Sequence, residues 1–208
     1  MYITALRFLI VSILLVGTSC TLYPKRHALT SKVERYEKQA QSAAQGKGSL
    51  SSALSKQTKS MTFDEARLAQ EYYRSVNNPE MIIKCGERLL AVGGDQEILM
   101  LTRLELAELF LEQRKYEDAE KHAEEFLLYY PGSAQGKKAS FISVKSAYLA
   151  QQNSFRDQEK THAAIDRAQE FIAKYPQDTE YKAQIDTIIT QSYLKLIRYE
   201  MNIISTQL

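Results

Sequence analysis

Two stretches of the chain repeat one another 45 positions apart. The first runs Tyr116-Glu-Asp-Ala119-Glu-Lys-His-Ala123-Glu-Glu-Phe126-Leu-Leu-Tyr-Tyr130-Pro131. The second runs Thr161-His-Ala-Ala164-Ile-Asp-Arg-Ala168-Gln-Glu-Phe171-Ile-Ala-Lys-Tyr175-Pro176. Each reads as a helix with small residues one turn apart and an aromatic beyond them. Each stops at Tyr-Pro, because proline lacks the N–H a helix interior uses and forces the residue before it toward extended backbone. A helical unit of this length buries too little surface to fold alone. Repetition therefore restricts the chain to a stacked solenoid.

Working back from Pro131 places Leu106, Ala107 and Phe110 on the preceding helix. Ala107 lets the partner helix approach closely with Ala119 facing it, and Leu106, Phe110 and Phe126 fill the space around that contact. This order of large, small, aromatic, Ala and terminal Pro is a tetratricopeptide repeat. The echo gives Ala164 and Phe171 the same packing roles one repeat later. A fainter copy lies 37 residues earlier, with Tyr73, Ile82 and Leu89 under Phe110, Ala119 and Phe126. There Pro79 opens the second helix, where its missing N–H costs little, and Gly93-Gly94 replaces Tyr-Pro as the stop.

The third repeat is longer between its helices. Ala107 matches Ala147 at an offset of 40, while the second helices match at 45. Five extra residues therefore fall in the turn, near Ser154-Phe155-Arg156-Asp157-Gln158. Asp157 is a candidate cap for the next helix, and Asp178 or Thr179 for the last. That last helix carries Tyr181, Ile185, Ile188, Ser192, Leu196, Tyr199 and Ile203 at close to helical spacing. It reads as the first helix of a fourth repeat that has no second. Helices are expected near 63–77, 79–92, 95–114, 116–130, 134–153, 159–175 and 179–204. The fold expected over residues 61–208 is all-α, a tetratricopeptide superhelical solenoid of about three and a half repeats.

Residues 1–19 read as a signal peptide: Arg7, then an apolar run Phe8–Val16, then small residues before Cys20. The apolar run is too short to span a bilayer as a settled helix. A cysteine in that place is a candidate lipidation site, although Gly17 stands where such sites usually have Leu. An ordinary cleaved signal and an uncleaved anchor remain alternatives. With Cys20 acylated, Cys85 has no intrachain partner, and its neighbours Ile82, Ile83, Leu89 and Leu90 make it a small core residue. Residues 20–60 are expected to be a flexible tether, with a short helix around 31–44. Between Thr21 and Ser60 there are eight basic and two acidic residues and little large apolar surface. Residues 61–208 carry 18 basic and 23 acidic residues, which argues against nucleic acid as a partner.

No motif for chemistry is present. His27, His122 and His162 lack metal-ligand spacing, and there is no phosphate loop or nucleophile elbow. His122 and His162 are expected on solvated helix faces. The carboxylates Glu105, Glu108, Glu112, Glu117, Asp118, Glu120, Glu124 and Glu125 read as an acidic surface. The expectation is a non-enzymatic protein with no cofactor and no metal.

The cysteine after the signal core, the Tyr-Pro-Gly-Ser repeat end, the Arg156-Asp157-Gln158 insertion and the Tyr199-Glu200 helix occur in one order. Together they resemble the BamD-like family, tetratricopeptide lipoproteins of the outer-membrane β-barrel assembly machine. The resemblance covers roughly 61–203 plus the anchor. It implies a scaffold at the periplasmic face of the bacterial outer membrane, held by a lipid on Cys20. Its implied partners are the β-barrel-inserting outer-membrane protein, other lipoproteins of the machine, and unfolded outer-membrane proteins. Arg156, Asp157, Gln158, Lys195, Tyr199 and Glu200 become candidate partner-binding or structural residues, with Lys195 standing where the family carries Arg. In the family the C-terminal repeats dock on the barrel-inserting protein, and five repeats are usual. The alternative is another tetratricopeptide lipoprotein, such as a pilus- or secretion-assembly factor or a protease adaptor.

Overall fold

The two Tyr-Pro stops fold alike. In the computed structural model, which describes residues 50–151 and 158–207, Tyr130 leaves its helix at φ −131°, ψ 56° and Tyr175 at φ −128°, ψ 60°. Each tyrosine N–H donates to the carbonyl of the phenylalanine four residues back at 2.9 Å. Each ring leans on that same phenylalanine, at 5.5 and 5.1 Å between centroids.

The 37-residue copy matches at the other end of the repeat. Asn77 and Arg114 both have positive φ, 52° and 59°. The N–H after each, on Asn78 and Lys115, reaches back to Tyr73 and Phe110 at 2.9 Å. A left-handed residue followed by this long backbone bond is a Schellman closure of a helix. Glycine usually fills that position. Asparagine tolerates it, whereas an arginine there costs about 1 kcal/mol.

Among the described residues there are eight α-helices and no strand. They are α1 Leu50–Ser55, α2 Phe63–Ser75, α3 Pro79–Val92, α4 Gln96–Glu112, α5 Tyr116–Tyr129, α6 Gly136–Leu149, α7 Glu159–Lys174 and α8 Lys182–Gln207, with a 3-10 turn at Thr58–Ser60. Helix starts follow local chemistry. Thr62 and Glu65 form a reciprocal capping box on α2. Asn78 caps α3 ahead of Pro79, and Asp95 accepts from two N–H groups of α4. Asp178 accepts from the Tyr181 N–H at 2.8 Å just before α8.

The fold is an all-α tetratricopeptide-type solenoid: among the described residues it comprises the pairs α2/α3, α4/α5 and α6/α7, followed by α8. Each helix packs on its sequence neighbours, and α4 also meets α6 as α6 meets α8. The core is a chain of small clusters. Ala107, Ala123, Phe126, Ala139 and Ile142 form one, Ile83, Leu106, Phe110 and Ala119 another, and Val144, Ala168, Phe171, Ile185 and Ile188 a third. Ala107, Ala119, Phe126 and Ala164 have no exposed surface, and Phe110 and Phe171 almost none. Burying a side chain such as Phe126 stabilises by about 1.5–3 kcal/mol, so the repeats hold through neighbours. Gly86, which takes the place of Ala123 in the first pair, is confined: an added Cβ would lie 3.0 Å from Leu106 and Gln70.

Several expectations change. Leu50–Ser55 lies inside the expected tether yet is helical and packs on α2, with Ala53 fully buried and Leu54 against the first cluster. A small residue at a contact point suffices there despite the polar composition. His122 is buried rather than solvated, its ring stacked on Phe110 at 5.3 Å. Its spacing from Ala119 and Phe126 puts it beside the packed face. Glu120 is also buried, because α7 supplies two cations to it. Helix α6 is shorter than expected at both ends, starting at Gly136 and ending at Leu149. The α6–α7 connection spans nine residues against three between α4 and α5. Cys20, Arg156 and Asp157 lie outside the described residues, as does the proposed cap by Asp157.

Candidate protein-docking site

Two surface features stand out on the solenoid, a groove and an exposed apolar stripe. One is an open groove of about 450 Å³ between α4 and α6, reaching the start of α5 and the foot of α8. Its lining mixes Leu111, Tyr116, Leu149 and Tyr181 with Glu108, Glu112, Arg114, Lys138 and Lys145. Tyr181 stacks on Phe141 at 4.2 Å, which fixes the aromatic floor. Burial, then the Glu180 carboxylate, push the Tyr181 hydroxyl up to about 12, so it stays protonated as a donor.

Ion pairs set the spacing of successive first helices along this side. Arg74 of α2 grips Glu105 of α4 through two bonds of 2.7 and 2.6 Å, with Gln70 adding a third at 3.1 Å. Glu108 of α4 meets Lys138 of α6 at 2.6 Å. Lys137 bridges Asp178 and Glu180 at 2.9 and 2.8 Å. Those two acceptors raise the Lys137 ammonium well above its ordinary range. Glu180 is lowered by its bond to Lys137. At Asp178, partial burial works upward, and the Lys137 bond with the Tyr181 and Glu180 N–H groups outweighs it, leaving the carboxyl below its usual range. On the second-helix side, Glu120 binds Lys160 and Arg167 of α7, and Arg167 also reaches Glu124. Exposed pairs contribute little each, so their weight lies in fixing geometry.

The other surface is α8. One face packs into the solenoid, with Ile185, Ile188 and Ser192 buried and Leu196, Tyr199 and Ile203 half-buried. A second apolar stripe faces water: Tyr193, Leu194, Ile197 at 54%, Met201 at 64% and Ile204 at 59% exposed. From Leu194 on, the spacing is three, four, three, the seam of a helix that packs on another helix. Among the described residues no second helix covers it. That stripe was readable in the sequence, but the inner stripe of the same helix hid it.

The residues singled out in the sequence are scattered along this end. Gln158 is buried before α7; its carbonyl accepts from the Thr161 and His162 N–H groups and its side chain from the Thr161 hydroxyl at 3.0 Å. Lys195 is half-buried, reaches Gln151 at 3.4 Å, and is lowered by burial. Gln151 in turn donates to the buried Ser192 at 3.0 Å. Lys195 thus stands at the foot of the inserted connection, while Tyr199 and Glu200 sit a turn further along α8, Glu200 exposed. Sequence reasoning missed Arg114, Lys145 and Tyr181 as groove residues, since nothing in a one-dimensional pattern brings α4, α6 and the start of α8 together.

No group of side chains that could hold a metal ion, and no helix long and apolar enough to cross a membrane, occurs among the described residues. The Cys85 thiol is buried and pushed up to about 11 by that burial, which suits a core residue. A family model described as YfiO, outer membrane lipoprotein, matches residues 98–208, from α4 to the end of the chain. No curated protein matches the chain.

Proposed function

The chain belongs to the YfiO family of outer membrane lipoproteins, and from that premise we propose a non-enzymatic scaffold that assembles β-barrel proteins into the bacterial outer membrane. A lipid on Cys20 anchors it at the periplasmic face; with several acyl chains on one cysteine, such an anchor is stable where a single chain is marginal. The solenoid then presents two surfaces. The outer stripe of α8 receives the β-barrel-inserting protein, close to Lys195, Tyr199 and Glu200. The groove holds unfolded outer-membrane proteins on their way to it, and other lipoproteins of the machine dock alongside.

The observation that carries this reading is the exposed stripe Leu194, Ile197, Met201 and Ile204. A contiguous apolar stripe left open on a helix marks an interaction site. The test is a photo-cross-linker at Met201 in the native membrane, combined with depletion of the protein. The expected results are a cross-link to the barrel-inserting protein and a fall in outer-membrane barrels. Capture of a pilus or secretion component, with barrel levels unchanged on depletion, would defeat it. Cys20→Ala should abolish labelling by a fatty-acid probe.

A further inference from the structure

The groove between α4 and α6 is locally positive on an acidic body. Residues 61–208 carry 18 basic and 23 acidic residues. In the groove Glu108 and Lys138 neutralise each other at 2.6 Å. That leaves Glu112 against two cations, Arg114 and Lys145. Neither cation has a carboxylate partner among the described residues. Lys145 is half-buried and lies 5.7 Å from the Phe141 ring centroid, so its ammonium rests on an aromatic face instead of an anion.

Arg114 carries a second, independent mark. It occupies a left-handed backbone position, φ 59°, where the equivalent turn of the preceding repeat uses Asn77. Non-glycine residues held in such positions cluster at binding and switch sites. The guanidinium does nothing visible for the turn, since the closure is made by backbone bonds to Leu111 and Phe110.

We propose that this groove seats an extended polypeptide segment by laying an apolar or aromatic side chain on Tyr116, Leu149 and Tyr181 and holding a neighbouring carboxylate with Lys145 and Arg114. The occupant is thus an unfolded chain bearing acidic residues beside aromatic ones. The assignment deepens the scaffold reading and rests on it only for the kind of client. It selects among clients by charge, because complementarity discriminates partners more than it adds affinity.

The test is direct binding by fluorescence anisotropy, using the full chain in detergent and two fluorescein-labelled peptides, Ser-Gly-Asp-Phe-Asp-Gly-Ser and its charge-reversed form Ser-Gly-Lys-Phe-Lys-Gly-Ser. The acidic peptide is expected to bind on the order of tenfold more tightly at low salt, with the difference shrinking as salt screens it. Lys145→Gln removes most of the preference, and Lys145→Glu reverses it toward the basic peptide, a gain that a misfolded variant cannot give. Equal affinities, no binding of either peptide, or an acidic preference that survives Lys145→Glu would each overturn the proposal. None of these results depends on the assembly machine, so the α8 cross-link tests the scaffold role independently of this outcome.

Discussion

His122 makes the second repeat sensitive to mild acid. Its ring is buried and stacked on Phe110, and its Nδ1 has no hydrogen-bond partner among the described residues. Burial first, then the Arg103 and Lys121 charges, pull its pKa from 6.5 to about 4, against a small opposing effect of Asp118. The folded state therefore holds fewer protons than the unfolded state between those two values. Stability contributed by the neutral ring is complete above about pH 6.5 and is lost as pH falls toward about 4. Linkage puts the loss between pH 7.5 and pH 5 at about 2 kcal/mol, rising to about 3 kcal/mol below pH 4. Urea denaturation followed by circular dichroism at the two pH values measures it. Glu65, Glu80, Asp178 and Glu180, all held below the ordinary carboxylate range, add their own acid dependence, but at lower pH. His122→Gln removes the titrating group and keeps those carboxylates. The variant should lose about 2 kcal/mol less than the parent over this interval. Parallel losses in parent and variant would refute the argument, whatever the absolute stability of either.

Ala119→Trp inserts an indole where there is no free surface, against Ile83, Leu106 and Phe110; overpacking of about 1–3 kcal/mol or more should lower the melting midpoint by several degrees in a calorimetric scan. Arg114→Gly relieves the left-handed position and should raise the urea midpoint, equivalent to about 0.5–1 kcal/mol, while weakening the acidic peptide. A drop in stability would show that the side chain supports the turn after all. Asp178→Ala removes the acceptor for the Tyr181 N–H and one anchor of Lys137. It should loosen the start of α8, seen as faster hydrogen exchange there than in α4.

The packing of the repeats was legible because it depends on short periods. Alanines one turn apart, a phenylalanine beyond them and a Tyr-Pro stop specify a helix, its buried stripe and its end from local sequence, and Tyr130 and Tyr175 share their dihedrals for that reason. The Arg114 turn gave no such signal, because a left-handed arginine looks like any surface arginine until the Lys115 bond to Phe110 is seen. His122 and Glu120 were misplaced for a related cause. Both sit beside the alanine stripe, and whether a flanking residue is wet depends on what the next helix brings, here the Phe110 ring and the Lys160 and Arg167 cations. The groove was invisible for the same reason, since its residues come from three helices, α4, α5 and α6, and from Arg114 and Tyr181 in the connections around them.

Helix α8 ties these levels together. At 26 residues it rises about 39 Å, against about 24 Å for the 16 residues of α7 on which it packs. α8 is therefore longer than its neighbour by roughly ten residues, and towards its end the inner stripe is only half-buried, at Leu196, Tyr199 and Ile203, while Met201 and Ile204 stand in water. That C-terminal stretch and its outer stripe gain little from tertiary packing within the described residues, and tertiary packing is where most helical stability in proteins comes from. Covering four large apolar side chains is worth several kcal/mol before the costs of association. That surplus has no use in the isolated solenoid. A partner that lays an apolar helix along Leu194, Ile197, Met201 and Ile204 would gain it.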